Sequence, residues 1–290
     1  MNHSGGWKTL AEGNGGDVVL AVDFDGTGRP EARFADLVAN LTGAGYSVWE
    51  SVQPDLAVAE RGSDAILSHW MERLVNDGPE ITAILAYCAG SVYAAALAQE
   101  LAAARGLPVP LVLFDPETVD PDGMLFEFNQ AIGFMAGIVP EEEVDSWKET
   151  ATRVRARHEH LRPLCEELLG LVREVGVPAL DRAGLSQELR DELIGMLCSF
   201  MHYLTATAEI DPWNQWSTAV VFTSISPLSG LNAMRAGRTN GPPIEVRQEI
   251  AVDVDNMRIL SDPAVARAVG ELLTRDDDGR VVAAEPGRVD

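Results

Sequence analysis

Little in this chain is basic. Of its 290 residues, 22 are lysine or arginine against 45 aspartate or glutamate, and the lysines number two, Lys8 and Lys148. A formal net charge of −23 argues against the broad attraction that holds nucleic acid or an anionic membrane surface. Cysteine is scarce as well. Cys88, Cys165 and Cys198 make an odd set with no close pair, which fits neither a disulfide framework nor zinc-site spacing. A reducing cytoplasm is the expected compartment. No apolar run reaches the ~18 residues that cross a bilayer. The segment from Met1 to Gly16 is polar and glycine-rich, without the apolar stretch of a secretory signal. Five histidines (His3, His69, His158, His160 and His202) leave few positions for chemistry that needs an imidazole.

What is present is a composition 46% hydrophobic, enough to bury a large core. The first half alternates strand and helix signals. Strands are expected at Asp17–Asp23, Tyr46–Val52, Ile81–Tyr87 and Leu111–Asp115. Between them come helices at Glu31–Thr42 and Asp64–Val75 and an alanine-rich helix from Val92 to Ala104. This order predicts an α/β fold, a mostly parallel sheet with helices on both faces. From about Pro121 to Ile210 the periodicity is helical throughout, with helices at Met124–Ile138, Glu141–Val175 (broken near Pro163) and Gln187–Ala208. The sheet resumes at Thr218–Thr223 and Ile244–Val252, and Pro263–Thr274 closes with a helix. Residues 1–120 and 211–290 therefore read as an α/β core, and 121–210 as a helical lid insertion over the strand ends. The tail from Arg275 is polar and expected to fray.

The sharpest local signal is Ala86-Tyr87-Cys88-Ala89-Gly90-Ser91, where an apolar strand turns straight into a helix. Small residues at 86, 89 and 90 fit a nucleophile elbow, with cysteine in the place usual for serine. A thiol at a helix N-terminus gains thiolate character from the free N–H groups and the dipole. Cys165 and Cys198 lie in apolar helical stretches and read as core residues. Asp115, at the end of the strand Leu111–Phe114, is the candidate acid, because strand C-termini form the active edge of such sheets. Oxyanion donors are expected from the Ala89 N–H and from the loop after the first strand, at Thr27 with Gly26 as the neighbouring alternative.

These motifs resemble the thioesterase family of α/β hydrolases that serve nonribosomal peptide and polyketide synthases. Phe24-Asp25-Gly26-Thr27-Gly28 stands where that family has its first glycine-rich loop. Phe34 and Leu37 match the aromatic and leucine of its first helix, and Ala86 to Ser91 match its Gly-x-Ser-x-Gly-Gly elbow. Asp115 follows the next strand as the family's acid often does. The resemblance covers roughly Asp17–Asp120 and Thr218–Leu273. It implies an α/β-hydrolase fold with a helical lid and a covalent acyl-enzyme. It also implies an acyl or peptidyl carrier protein as partner, bringing substrate on a phosphopantetheine arm, and no cofactor of the protein's own.

The departure is the base. Where the family has Gly-Asp-His-Phe, this chain reads Val254-Asp255-Asn256-Met257, so Asn256 stands in the histidine's place. His202, in the apolar lid segment Phe200–Tyr203, reads first as a partly buried lid histidine and otherwise as a base facing the nucleophile. Hydrolysis needs a group that activates water, whereas exchange of an acyl group between thiols does not. The expected activity is therefore acyl or aminoacyl transfer from a carrier protein through Cys88 in natural-product biosynthesis, with Asp115 and Asn256 positioning the site. A hydrolytic thioesterase of the type II kind is the alternative. Arg153, Arg155 and Arg157 offer one basic run for carrier docking, or simply a solvated helix face. From a different class, Asp23-Phe24-Asp25-Gly26-Thr27 resembles the first motif of haloacid-dehalogenase-type phosphatases, with Asp23 as nucleophile, Asp25 as acid/base and Mg²⁺ as cofactor. A non-catalytic relative of the thioesterases is a further possibility.

Overall fold

The structure, a computed structural model, describes residues 3–14, 16–25, 31–41, 45–75, 78–237, 242 and 244–273. Eight strands form one sheet: β1 (His3–Ser4), β2 (Trp7–Ala11), β3 (Asp17–Val22), β4 (Ser47–Ser51), β5 (Glu80–Tyr87), β6 (Leu111–Phe114), β7 (Val220–Thr223) and β8 (Gln248–Ala251). Their order is β1-β2-β4-β3-β5-β6-β7-β8. From β4 to β8 every pairing is parallel, and β1 and β2 add an antiparallel edge.

The helices are α1 (Phe34–Asn40), α2 (Leu56–Ala59), α3 (Ser63–Met71), α4 (Gly90–Arg105), α5 (Pro121–Gly133), α6 (Glu141–Arg155), α7 (Leu161–Leu171), α8 (Val177–Arg182), α9 (Gln187–Ala206), α10 (Trp213–Trp216), α11 (Gly230–Arg235) and α12 (Pro263–Leu272). Among the described residues no helix is long and apolar enough to cross a membrane.

The expected α/β alternation is observed, with ends shifted by a few residues. The N-terminal hairpin was not anticipated. Gly5 and Gly6, at φ +59° and +78°, form the two-residue turn between β1 and β2. Paired left-handed residues match the twist of a tight hairpin, and glycine adopts them without strain.

The central strands are apolar on both faces because helices cover both. In β3, five of six residues are buried. Val19, Ala21, Leu85, Tyr87, Val112, Phe114, Val220 and Phe222 pack with α1 and α12. Phe114 lies stacked on Phe222 at 5.2 Å between centroids and edge-on to Phe34 at 6.0 Å. The alternate residues face the other way, toward α4, whose run of alanines favours helix and lets it approach the sheet closely. Gly106, left-handed, ends α4 through its N–H to the Ala102 carbonyl at 2.8 Å. Asp262 caps α12 by accepting from the Ala264 and Val265 N–H groups, with Pro263 at the first helical position.

Register brings the strand ends level: Val22 pairs Ala86, Tyr87 pairs Phe114, and Phe114 pairs Phe222. Asp23, Cys88, Asp115 and Ser224, each the residue after its strand, therefore share one edge of the sheet.

The chain divides into two compact units. One, residues 1–53, 67–118 and 210–290, carries the sheet. The other takes residues 119–209 and also 54–66. Within this helical unit the Ser199 hydroxyl donates to the Pro54 carbonyl at 2.6 Å, and the Ser63 N–H donates to Glu209 at 2.8 Å. These bonds tie the early segment to α9 and to the short turn after it. The anticipated break near Pro163 falls ahead of it, between Arg155 and Leu161. Pro163 itself sits in the first turn of α7, where its missing N–H has no intrahelical partner to lose.

A charged cluster lies beside the end of β3. Lys8 reaches Glu50 at 2.6 Å and Asp25 at 2.7 Å, and Arg33 reaches Asp25 at 3.2 Å. Glu50 is fully buried, and that burial pushes its carboxyl up to about 7 against the pull of Lys8. A raised carboxylate stabilises the fold below its unfolded value of 4.5, and that contribution is lost as pH rises through about 7. Wild-type stability relative to Glu50→Gln is thus expected to fall by about 3 kcal/mol between those pH values, as urea denaturation at pH 4.5 and 7.5 will show.

Candidate active site

Cys88 and Asp115 are the two non-glycine residues with positive φ among the described residues, at +49° and +42°. Both follow adjacent parallel strands. Such conformations are costly for side-chain-bearing residues and persist only where surrounding bonds hold them. Here the Cys88 N–H donates to the Phe114 carbonyl at 3.0 Å, and the Asp115 N–H donates to the Phe222 carbonyl at 3.0 Å. The Cys88 carbonyl accepts from the Ser91 N–H at 3.0 Å and the Glu117 N–H at 3.3 Å. Ala89 is the N-cap of α4, so its N–H stands ahead of the helix's own bonded donors, where a developing oxyanion can use it. Cys88 is partly exposed, while Cys165 and Cys198 are buried. Burial drives the Cys165 thiol up to about 11 and raises Cys198 as well, leaving both unreactive.

Asp115 is completely buried. One carboxylate oxygen accepts from the Ser224 N–H at 3.0 Å, and the other accepts from the Asn256 side-chain amide at 2.8 Å. Burial raises its pKa, and these bonds oppose the rise. The far end of the Asn256 amide accepts from the Tyr87 hydroxyl at 2.7 Å. The Asn256 N–H donates to the Ser226 hydroxyl at 2.9 Å, which in turn donates to Asp255 at 3.0 Å. Asp255 caps the short 3-10 segment Asn256–Ser261 by accepting from the Met257 N–H. The amide is thus fixed in orientation by a donor on one side and an acceptor on the other. It carries no titratable proton and cannot act as a base.

The structure therefore joins Asp115 and Asn256 directly and sets Cys88 on the neighbouring strand end. The expected oxyanion residue Thr27, with Gly26, lies outside the described residues. Tyr87 and Glu117 were not foreseen as site residues. The Cys88 thiol donates to Glu117 Oε2 at 3.8 Å. An elbow tyrosine one residue before the nucleophile and a glutamate two residues after the acid were the signals available for them.

His202 is half-buried on α9. Its Nε2 lies 4.0 Å from Glu60 within the helical unit, and burial holds its pKa below the ordinary value although Glu60 opposes this. The Arg153, Arg155 and Arg157 run is neutralised: Arg153 meets Glu149 at 4.0 Å, Arg155 meets Asp122 at 2.8 Å, and Arg157 pairs with Glu167. It forms a paired helix surface, not a basic docking patch. Asp25, the acid/base of the phosphatase reading, is committed to Lys8 and Arg33. Asp23 is buried, its backbone exchanging bonds with the Ser51 hydroxyl. Among the described residues no group of three or more His, Cys, Asp or Glu side chains is arranged to hold a metal ion.

No protein-family model matches the chain, and no curated protein sequence does so. Similar solved structures include holo-AB3403, a four-domain nonribosomal peptide synthetase bound to AMP and glycine. The match has a TM-score of 0.54 and 13% identity, and covers 93% of this chain and 20% of that one. The Vlm2 thioesterase domain bound with a dodecadepsipeptide matches with a TM-score of 0.50 and 16% identity, over 92% of this chain and 96% of the domain. The chain spans about a fifth of the length of the synthetase. At these identities the likeness is one of fold, and it agrees with the mostly parallel sheet flanked by helices: the chain has the α/β-hydrolase fold.

Proposed function

We propose that this protein moves a thioester-bound acyl or aminoacyl group from a carrier protein onto Cys88 and then to a second nucleophile. Asn256 carries the reading. It occupies the position where a hydrolase of this kind holds its imidazole, and it is locked between Tyr87 and Asp115 as a neutral amide. A serine so placed would lack activation, and an acyl-enzyme so placed would lack a histidine to activate water. A cysteine needs less help, and a thiolate leaving group needs little acid. Asp115, Asn256 and Tyr87 hold the elbow and the strand ends in register, and the Ala89 N–H, with a donor from the Thr27 loop, receives the oxyanion. The donor substrate rides on a phosphopantetheine arm, in keeping with the resemblance to thioesterases of peptide and polyketide synthases.

Intact-protein mass spectrometry after mixing with an acyl-loaded carrier tests this. A mass increase equal to the acyl group is expected on the wild type, absent in Cys88→Ala and discharged by a second carrier in its thiol form. Absence of any adduct overturns the reading. Free acid as the sole product, lost in His202→Ala, makes the protein a hydrolytic thioesterase.

A further inference from the structure

We propose that Glu117 is the acid–base residue of this site, taking the proton from the attacking sulfur and returning it to the departing one. The proposal rests on the acyl-transfer reading and adds to it the group that the missing histidine leaves open. Three observations point to this residue. Its Oε2 lies 3.8 Å from the Cys88 sulfur, within reach of a thiol hydrogen bond. Its backbone is tethered to the nucleophile by the 3.3 Å bond to the Cys88 carbonyl. The left-handed turn at Asp115, followed by Pro116, bends the chain back so that residue 117 faces the elbow. Among the described residues, the ionisable groups at or next to the neighbouring strand ends are Tyr87 on β5, Asp115 after β6 and Asp23 after β3. Both Asp115 oxygens accept hydrogen bonds, and the Tyr87 hydroxyl donates to Asn256. The Glu117 carboxylate touches the reacting atom.

The proton balance closes in both half-reactions. In the first, the Cys88 S–H bond breaks as its proton passes to the Glu117 carboxylate, and sulfur adds to the donor's thioester carbonyl. Collapse breaks the bond from the carbonyl carbon to the carrier sulfur, and Glu117 gives its proton to that leaving thiolate. Acyl-Cys88 and a free carrier thiol result, with Glu117 again ionised. In the second, Glu117 takes the proton of the acceptor thiol and delivers it to Cys88 sulfur as the acyl group departs. No other co-reactant is needed.

The isosteric Glu117→Gln variant separates this role from a structural or purely electrostatic one. Removing a negative charge beside the thiol is expected to lower the pH midpoint of Cys88 alkylation by iodoacetamide, followed at the Cys88 peptide, by about one pH unit. Acyl transfer between carriers is expected to fall about 10²-fold, while the melting temperature is kept and Glu117→Asp recovers part of the rate. Faster alkylation with slower transfer is the signature of lost proton transfer. Transfer that is unchanged, or that rises together with alkylation, overturns the proposal. If the wild type releases free acid and transfers nothing, the transfer reading falls, and a 10²-fold loss of that hydrolysis in Glu117→Gln still supports the acid–base role. An unaltered alkylation midpoint overturns it whichever reaction the protein runs.

Discussion

Asn256→His is expected to release free acid from acyl-Cys88 on the order of 10²-fold faster than the wild type, or more. The partner that would orient such an imidazole is already in place. The Asn256 side-chain N–H sits 2.8 Å from the second oxygen of a buried Asp115. An imidazole in the same position can give its Nδ1–H to that oxygen and turn Nε2 outward as a base, the tautomer that such an acid enforces. The substitution also removes the nearer, side-chain acceptor of the Tyr87 hydroxyl and leaves the Asn256 carbonyl at 3.5 Å, so a modest loss of stability should accompany the gain. The measurement is single-turnover decay of acyl-Cys88 against pH, with free acid and transferred product separated. The variant should acquire a rise in rate near the histidine pKa that the wild type lacks. An unchanged decay rate in a folded variant would mean that something other than the missing histidine protects the acyl-enzyme.

The second large effect concerns folding. A methyl group on Gly90 would stand 2.5 Å from the Val22 carbonyl oxygen, 3.1 Å from the Val22 carbonyl carbon and 3.3 Å from the Asp23 Cα. All three are backbone atoms at the end of β3, held by parallel pairing to β4 and β5, so no side chain can swing aside. Gly90→Ala must therefore push the N-terminus of α4 off the sheet and disturb the Ser91 and Glu117 bonds that hold the Cys88 carbonyl. A loss of about 3 kcal/mol or more is expected, read as a lower urea midpoint. Alkylation of Cys88 should change as well, because the elbow moves with the helix. A midpoint within a few tenths of a kcal/mol of wild type would contradict the contact.

The parts of this fold that follow local rules could be read from the residues. Hydrophobic runs ending in Asp23, Tyr87 and Asp115 placed three parallel strand ends, and the small residues of Ala86 to Gly90 marked the turn between β5 and α4. The resemblance singled out Asp115 and Asn256 as positioning residues, and the fold supplies the hydrogen bond between them. The N-terminal hairpin escaped because its signal is only Gly5-Gly6 between two short segments, and a two-residue β1 has no periodicity to detect. Tyr87 escaped for another reason. It reads as the last residue of a buried strand, and only the fold brings Asn256, 169 positions away, against its hydroxyl. Glu117 depends on the left-handed turn two residues before it, a conformation that an Asp-Pro sequence does not announce. Long-range contacts and rare backbone states are where one-dimensional pattern loses its grip.

Those two left-handed residues bear on how the site persists. Each holds a side chain in a backbone state that costs an L-residue about 1–2 kcal/mol and costs glycine almost nothing. A chain drifting under selection for foldedness alone would relieve that burden by admitting glycine at positions 88 and 115, gaining stability and losing a thiol and a carboxylate. Cys88 and Asp115 instead stand at +49° and +42°, on neighbouring strand ends, with backbone bonds holding them. Stability is yielded at the two places where the proposed acyl transfer puts its nucleophile and its buried carboxylate.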